Sequence, residues 1–255
     1  MLLECDLSVS FGYKSQMQIS RVISEQWFGA NGYCLSCDND QLSQTAANTK
    51  ASDFVCPSCK ESYELKAFKT LPPKRLVDGA YGALISRIQS ESVPTLMLLE
   101  RNEKWQILGL TAIHHLFLTP EVVEKRKPLS ATARRAGWVG CNIRLDLIAP
   151  DAKIPVINLR TAANHDLVRR SFQRFNRLKS VPLNSRGWAT LTLRAVRGLN
   201  RPEFSLMELY AHEQLFAAAY PENNNIRAKI RQQLQVLRDL GYLEFCGRGT
   251  YRLII

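Results

Sequence analysis

Residues 31–70 read NGYCLSCDNDQLSQTAANTKASDFVCPSCKESYELKAFKT, and two Cys-x-x-Cys pairs organise them: Cys34 with Cys37, and Cys56 with Cys59. Eighteen residues separate the pairs. A tight turn at each pair aims two thiolates at one point, and two such turns complete a tetrahedral site of the zinc-ribbon kind. Four protein thiolates leave no position for water, so the expected Zn²⁺ is structural. The chain has seven cysteines. An odd number with this spacing argues for metal over disulfides. Cys5, Cys141 and Cys246 are scattered and are expected as small buried apolar residues.

Asp53 stands three residues before the second pair, and Glu64-Leu65-Lys66 follows it. Asp53-Phe54-Val55 reads as a short strand and residues 61–68, alternating polar and apolar, as its return. Glu64 and Lys66 are two apart and share one face of that strand. If the strands pair, Asp53 lies near both. Two carboxylates and an ammonium on one face suit phosphodiester hydrolysis: the carboxylates hold Mg²⁺, a hard cation, which polarises the phosphate and activates water. Lys66 orients the water and offsets charge in the transition state. The same three residues would also build a surface salt-bridge ladder.

Working outward, residues 16–28 place Ile19, Val22, Ile23 and Trp27 at helical spacing. Glu25 lies off that stripe, where it is either solvated or within reach of a metal. Beyond the metal stretch, residues 71–75 read as a loop and Asp78 as the N-cap of a helix carrying Tyr81, Leu84, Ile85 and Ile88. Residues 94–99 and 105–110 read as strands. This order is consistent with a mixed sheet flanked by helices. His114 and His115 have no third ligand at useful spacing, and His165 and His212 show no pattern, so histidine-based catalysis has no support. The segment RKPLSATARRAGWVGCNI, residues 126–143, sets Arg134 and Arg135 beside a tryptophan, Trp138, that stands between glycines. Arginine binds phosphate in bidentate fashion, and an indole packs on a base or a methyl group. A core tryptophan beside a solvated basic loop fits the same residues.

SVPLNSRG, residues 180–187, reads as a boundary between a domain of residues 1–182 and one of residues 183–255. The second resembles a winged helix. Residues 188–196 form its first helix or an entry strand, and Ser205 with Glu208 forms a capping box. A third helix spans residues 226–240, with Ile226, Ile230, Leu234 and Leu237 buried and Arg227, Lys229, Arg231, Gln232, Gln233 and Arg238 left for other faces. A hairpin follows with Arg248 at its tip. Such a helix and wing fit major-groove reading.

Thirty-four Lys and Arg against 23 Asp and Glu give a net charge of +11, which favours an anionic partner, nucleic acid first. No apolar run approaches the roughly 18 residues of a bilayer span, and the N-terminus lacks a basic region ahead of an apolar one, so the cytoplasm is the expected location.

Taken together, the cysteine pairs, Asp53 with Glu64-Leu65-Lys66, the segment 126–143, SRGW at 185–188 and IRQQLQVLRD followed by EFCGRGTYR resemble the DpnI-like methyl-directed restriction endonucleases, over nearly the whole chain. The resemblance implies an α/β PD-(D/E)xK nuclease domain with an inserted zinc ribbon, joined to a C-terminal winged helix. It implies Mg²⁺ on Asp53, Glu64 and the Leu65 carbonyl, with Lys66 catalytic and Trp138 in a methyladenine pocket. Ser52 replaces the usual proline before the aspartate, with no chemical consequence. The implied substrate is double-stranded DNA carrying N6-methyladenine at GATC, cut by a monomer as a type II enzyme. The rival class is a non-cleaving zinc-ribbon and winged-helix DNA-binding regulator, which has no need of Asp53, Glu64 and Lys66 on one face. An RNA-directed nuclease is disfavoured by the winged helix.

Overall fold

The computed structural model describes residues 1–46 and 52–254. Its elements in chain order are α1 (Gln16–Asn31), β1 (Ser43–Gln44), β2 (Phe54–Val55), β3 (Ser62–Phe68), β4 (Arg75–Ala80) and α2 (Tyr81–Gln89). There follow β5 (Thr95–Arg101), β6 (Ile107–Ile113), β7 (Val123–Lys125), β8 (Gly140–Arg144), β9 (Lys153–Asn158), β10 (Thr161–Ala162) and α3 (His165–Gln173). The C-terminal part holds α4 (Leu183–Gly198), β11 (Glu203–Ser205), α5 (Leu206–Tyr210), α6 (Glu213–Ala219), α7 (Ile226–Asp239), β12 (Leu243–Gly247) and β13 (Thr250–Leu253). Two compact units contain them: Met1–Pro73, Ser90–His115 and Ala152–Asn176 in the first, and Lys74–Gln89, Leu116–Asp151 and Arg177–Ile255 in the second.

The first unit is built on a seven-stranded sheet in the order β1-β2-β3-β5-β6-β9-β10. Only β3 and β5 run parallel; the other neighbours are antiparallel, which makes it the mixed sheet expected. Strand alternation sorts β3 into two faces. Tyr63 is fully buried and Leu65 packs on the same core as Trp27 and Phe28 of α1 and Val168 and Phe172 of α3. Glu64 and Lys66 therefore point to the opposite face. Phe54 meets Phe28 edge-on at 4.9 Å between ring centres, which seats α1 against β2. His114 is buried and stacks on Phe172 at 4.0 Å, a core residue as its lack of a ligand pattern suggested.

In the second unit, β4, β8 and β7 form one three-stranded sheet, and β11, β13 and β12 form another. The latter, with α4, α5, α6 and α7, is the helix-and-wing arrangement expected. Ser205 and Glu208 make the capping box in both directions, and the tip residues Gly247, Arg248 and Gly249 all have positive φ.

Three expectations need correction. Asp78 does not stand at the N-cap position: it lies inside β4, which passes into α2 without a loop. The turn-forming composition of SVPLNSRG misleads locally, because α4 already begins at Leu183 behind Pro182. Proline there fixes the entry angle of the chain, and Gly187 sits within the helix, where an added Cβ would strike the Glu121 carboxyl and lie 2.7 Å from the Tyr220 hydroxyl. Cys246 is exposed, not buried, because it lies on the edge strand β12.

Candidate active site

The four cysteines converge as their spacing predicts. Their sulfurs all lie within 4.8 Å of one another, with Cys34 and Cys59 at 3.4 Å and Cys37 and Cys56 at 3.6 Å. A tetrahedral zinc with 2.3 Å bonds wants sulfurs about 3.8 Å apart, so the set fits that ion. Local hydrogen bonds shape both turns: the Cys34 N–H donates to Asn39 O at 2.9 Å, and the Cys56 N–H to Glu61 O at 2.8 Å. Burial opposes charge on Cys56, but the N–H groups of Cys59 and Ser58 and the thiols of Cys37 and Cys34 donate to it and pull it down to about 7. Burial pushes the Cys34 thiol well up in the metal-free cluster. A bound cation reverses that, since thiolates bind as anions.

Supports that sequence reasoning missed hold the first turn. The Tyr63 hydroxyl accepts from Leu35 N–H at 2.9 Å and lies 3.3 Å from Cys34 Sγ. With Cys34 as thiolate, the hydroxyl donates to sulfur. Arg169 of α3, nearly buried, donates Nε to Cys34 O at 3.1 Å and Nη2 to Asn39 O at 3.3 Å and Asp40 Oδ1 at 2.7 Å. Gln173 donates to Ser36 O at 3.0 Å. No local pattern could reveal the partners of Arg169 and Gln173, which lie 129 to 137 positions away.

Asp53 lies just ahead of β2, its N–H bonded to Tyr63 O at 2.9 Å. Its Oδ2 accepts the Leu65 N–H at 2.8 Å. That bond carries the carboxylate onto the stretch of β3 between Glu64 and Lys66, which pair with each other at 2.5 Å. The side chains of Glu64 and Lys66 are 17% and 24% exposed, sheltered yet open to a ligand. The structure thus brings Asp53, Glu64, Leu65 and Lys66 together. Their oxygen donors match a hard cation such as Mg²⁺.

One further carboxylate belongs to this neighbourhood. Glu25 of α1 accepts from Gln44 Nε2 at 3.0 Å. Burial pushes its carboxyl up, Arg21 pulls it down, and the Asp53 carboxylate pushes it up again. Among the described residues, the thiolates are the sole group of three or more potential metal ligands that meet at one point.

The expected DNA-reading residues lie in the second unit and divide into two sets. Arg134 and Arg135 are exposed. Trp138 is half-buried, with the Arg135 guanidinium 4.8 Å above its ring and the ring edge over Gly140, where a Cβ would lie 2.8 Å from it. On α7, Arg231 and Gln232 are exposed, and Gln235 shares their stripe. Arg227 is exposed but paired to Glu213 at 2.9 Å. Lys229 turns toward the Trp188 ring, 6.0 Å away. Gln233 is fully buried and leaves the reading set, because a side chain without solvent access cannot enter a groove. Arg248 is exposed at the wing tip.

Comparison with known families places the whole chain. Residues 1–181 match the model of DpnI, described as the Dam-replacing family. Residues 184–253 match that of its C-terminal part, the Dam-replacing HTH domain.

Proposed function

The chain belongs to the Dam-replacing family of DpnI-like methyl-directed restriction enzymes, and from that premise we propose that it is a Mg²⁺-dependent type II endonuclease cutting double-stranded DNA at GATC sites bearing N6-methyladenine. The observation that carries the nuclease reading is the 2.8 Å bond from Leu65 N–H to the Asp53 carboxylate, which gathers Asp53, Glu64 and Lys66 at one point of β3.

In this reading residues 1–182 form a PD-(D/E)xK catalytic domain with a structural Zn²⁺ on Cys34, Cys37, Cys56 and Cys59, and residues 183–255 form the winged helix. Asp53, Glu64 and the Leu65 carbonyl hold magnesium. The chemistry supplied by that ion is polarisation of the scissile phosphate and acidification of the attacking water. Lys66 donates to the phosphate oxygens and orients the nucleophile; its pairing with Glu64 keeps the ammonium at the reacting face before substrate arrives. Cleavage leaves a 5′-phosphate and a 3′-hydroxyl.

Methyl selectivity follows from the same logic. A methyl on adenine N6 projects into the major groove and replaces a donor hydrogen with apolar surface. The Trp138 indole, held between Arg135 and Gly140, offers apolar contact worth about 1–3 kcal/mol for one methyl. Arg134, Arg135, Arg231, Gln232, Gln235 and Arg248 supply phosphate and groove contacts. Among the described residues no helix is long and apolar enough to cross a membrane. A monomer in the cytoplasm completes the proposal.

The test uses plasmid carrying methylated GATC and the same plasmid unmethylated, each with Mg²⁺ or EDTA. Fragments from the methylated plasmid with Mg²⁺ alone are expected, and Asp53→Ala should abolish them while retaining DNA binding. Methyl-selective gel retardation without cutting would instead make the chain a non-cleaving regulator.

A further inference from the structure

We propose that Arg101, with Ser20 and Ser24 of α1, forms a binding site for a small monovalent anion, chloride or its heavier analogue bromide, between α1 and the β5–β6 hairpin. The site is independent of the cation reading above. Arg101 meets α1, and that helix packs on the face of the sheet opposite Glu64 and Lys66.

A buried charge that lacks a counter-charge carries the proposal. Arg101 is 4% exposed, and its guanidinium lies 3.4 Å from the centre of the Trp105 ring. Its hydrogen bonds go to neutral groups: Nη2 donates to Ser20 Oγ and Nη1 to Asn102 O, both at 3.3 Å. Nε is buried and has no hydrogen-bond partner among the described residues. Burial pulls the Arg101 pKa down, and the group that acts against this is the Cys5 thiol. Burial pushes that thiol up to about 11, so at neutral pH it is uncharged and balances nothing. Removing a cation from water without a partner is strongly unfavourable.

Ser24 adds a second donor. It is 1% exposed, and its Oγ also has no partner among the described residues. It stands one turn after Ser20, so the two hydroxyls share a stripe of α1. Water would satisfy the hydroxyl and Nε but brings no charge, whereas an anion supplies the acceptor and the counter-charge together. A doubly charged oxyanion with four oxygens asks for more donors than these residues offer, and a halide does not. Trp105 closes the outer side. Its φ is +59°, a conformation that costs a bulky residue and persists where the surroundings hold it. Here the guanidinium contact holds the ring, and the Trp105 carbonyl accepts the Cys5 N–H at 3.1 Å.

The test uses the full zinc-loaded chain, with sodium chloride replacing sodium gluconate at constant ionic strength. A ligand that binds the folded state raises the melting temperature in step with its concentration. The wild-type melt should therefore rise with chloride, and the chloride NMR line should broaden on adding protein and sharpen again with bromide. Ser24→Ala should weaken chloride roughly 10-fold, as for loss of a hydrogen bond to a charged group. Arg101→Met should abolish the response. Bromide-soaked crystals should show anomalous signal beside Arg101 Nε. A wild-type melt that does not move with chloride, and a line that stays sharp, would overturn the proposal in favour of water. A chloride response equal in wild type and both variants would place the ion elsewhere and overturn it as well. If Arg101→Met does not fold, Ser24→Ala decides: chloride affinity equal to wild type refutes the site.

Discussion

Tyr63→Phe removes a single oxygen and tests how the four-cysteine cluster is joined to β3. The ring is fully buried, and phenylalanine preserves its packing. What is lost is the hydroxyl that accepts Leu35 N–H at 2.9 Å and donates to Cys34 Sγ at 3.3 Å. Leu35 is itself buried, so its N–H has no water to turn to. An orphaned buried donor costs about 1–3 kcal/mol. Because the loss falls on the metal-bound fold, it should appear as a drop in zinc affinity of roughly 5–150-fold. The assay is competition with a chromogenic chelator, alongside a thermal melt of the zinc-loaded chain. A variant whose zinc affinity lies within about twofold of wild type would refute the claim that this hydroxyl supports the site; about 0.4 kcal/mol is too little for an orphaned buried N–H.

Arg169→Lys keeps the charge but cannot span Cys34 O, Asn39 O and Asp40 from one planar group; zinc retention should fall roughly tenfold or more, measured by chelator competition. Gln233→Leu removes a buried amide that has no hydrogen-bond partner among the described residues, so the melting temperature should rise with DNA affinity unchanged, whereas Gln235→Ala should weaken DNA binding in gel retardation. Arg144 holds the Asp146 carboxyl below the usual carboxylate range. A depressed carboxylate stabilises the fold above its unfolded pKa of about 3.9 and loses that contribution as pH falls through the folded value. Asp146→Asn should therefore melt earlier at pH 7, with the gap to wild type closing in acid.

Much of the first unit was legible because its signals are local. The cysteine spacing gave the metal turns, and alternation along residues 62–68 gave the strand that places Glu64 and Lys66 together. Helical phase was legible too, though imperfectly used. A stripe through Ile226, Ile230, Leu234 and Leu237 takes in position 233, three after 230, so Gln233 was assignable to the interior from spacing alone. Gln235, five residues after Ile230, falls on the outer stripe for the same reason. Asp78 misled because an aspartate before an apolar stripe is a capping signal, while strand pairing of Asp78 with Cys141 is set by a partner 63 positions away. Arg169 and Tyr63 lay beyond reach, since their work depends on tertiary proximity.

The clamp from α3 has a consequence in time. All four thiolates are translated within 26 positions of one another, whereas Arg169 lies 135 positions after the Cys34 carbonyl it holds. At about 5–20 residues per second, a ribosome reaches the clamp roughly 7–27 s after the first thiolate. During that interval the nascent chain carries its four cysteines without the Arg169 clamp. A product terminated short of α3 would contain all four cysteines, Asp53, Glu64 and Lys66, and would lack the Arg169 bonds to Cys34 O, Asn39 O and Asp40.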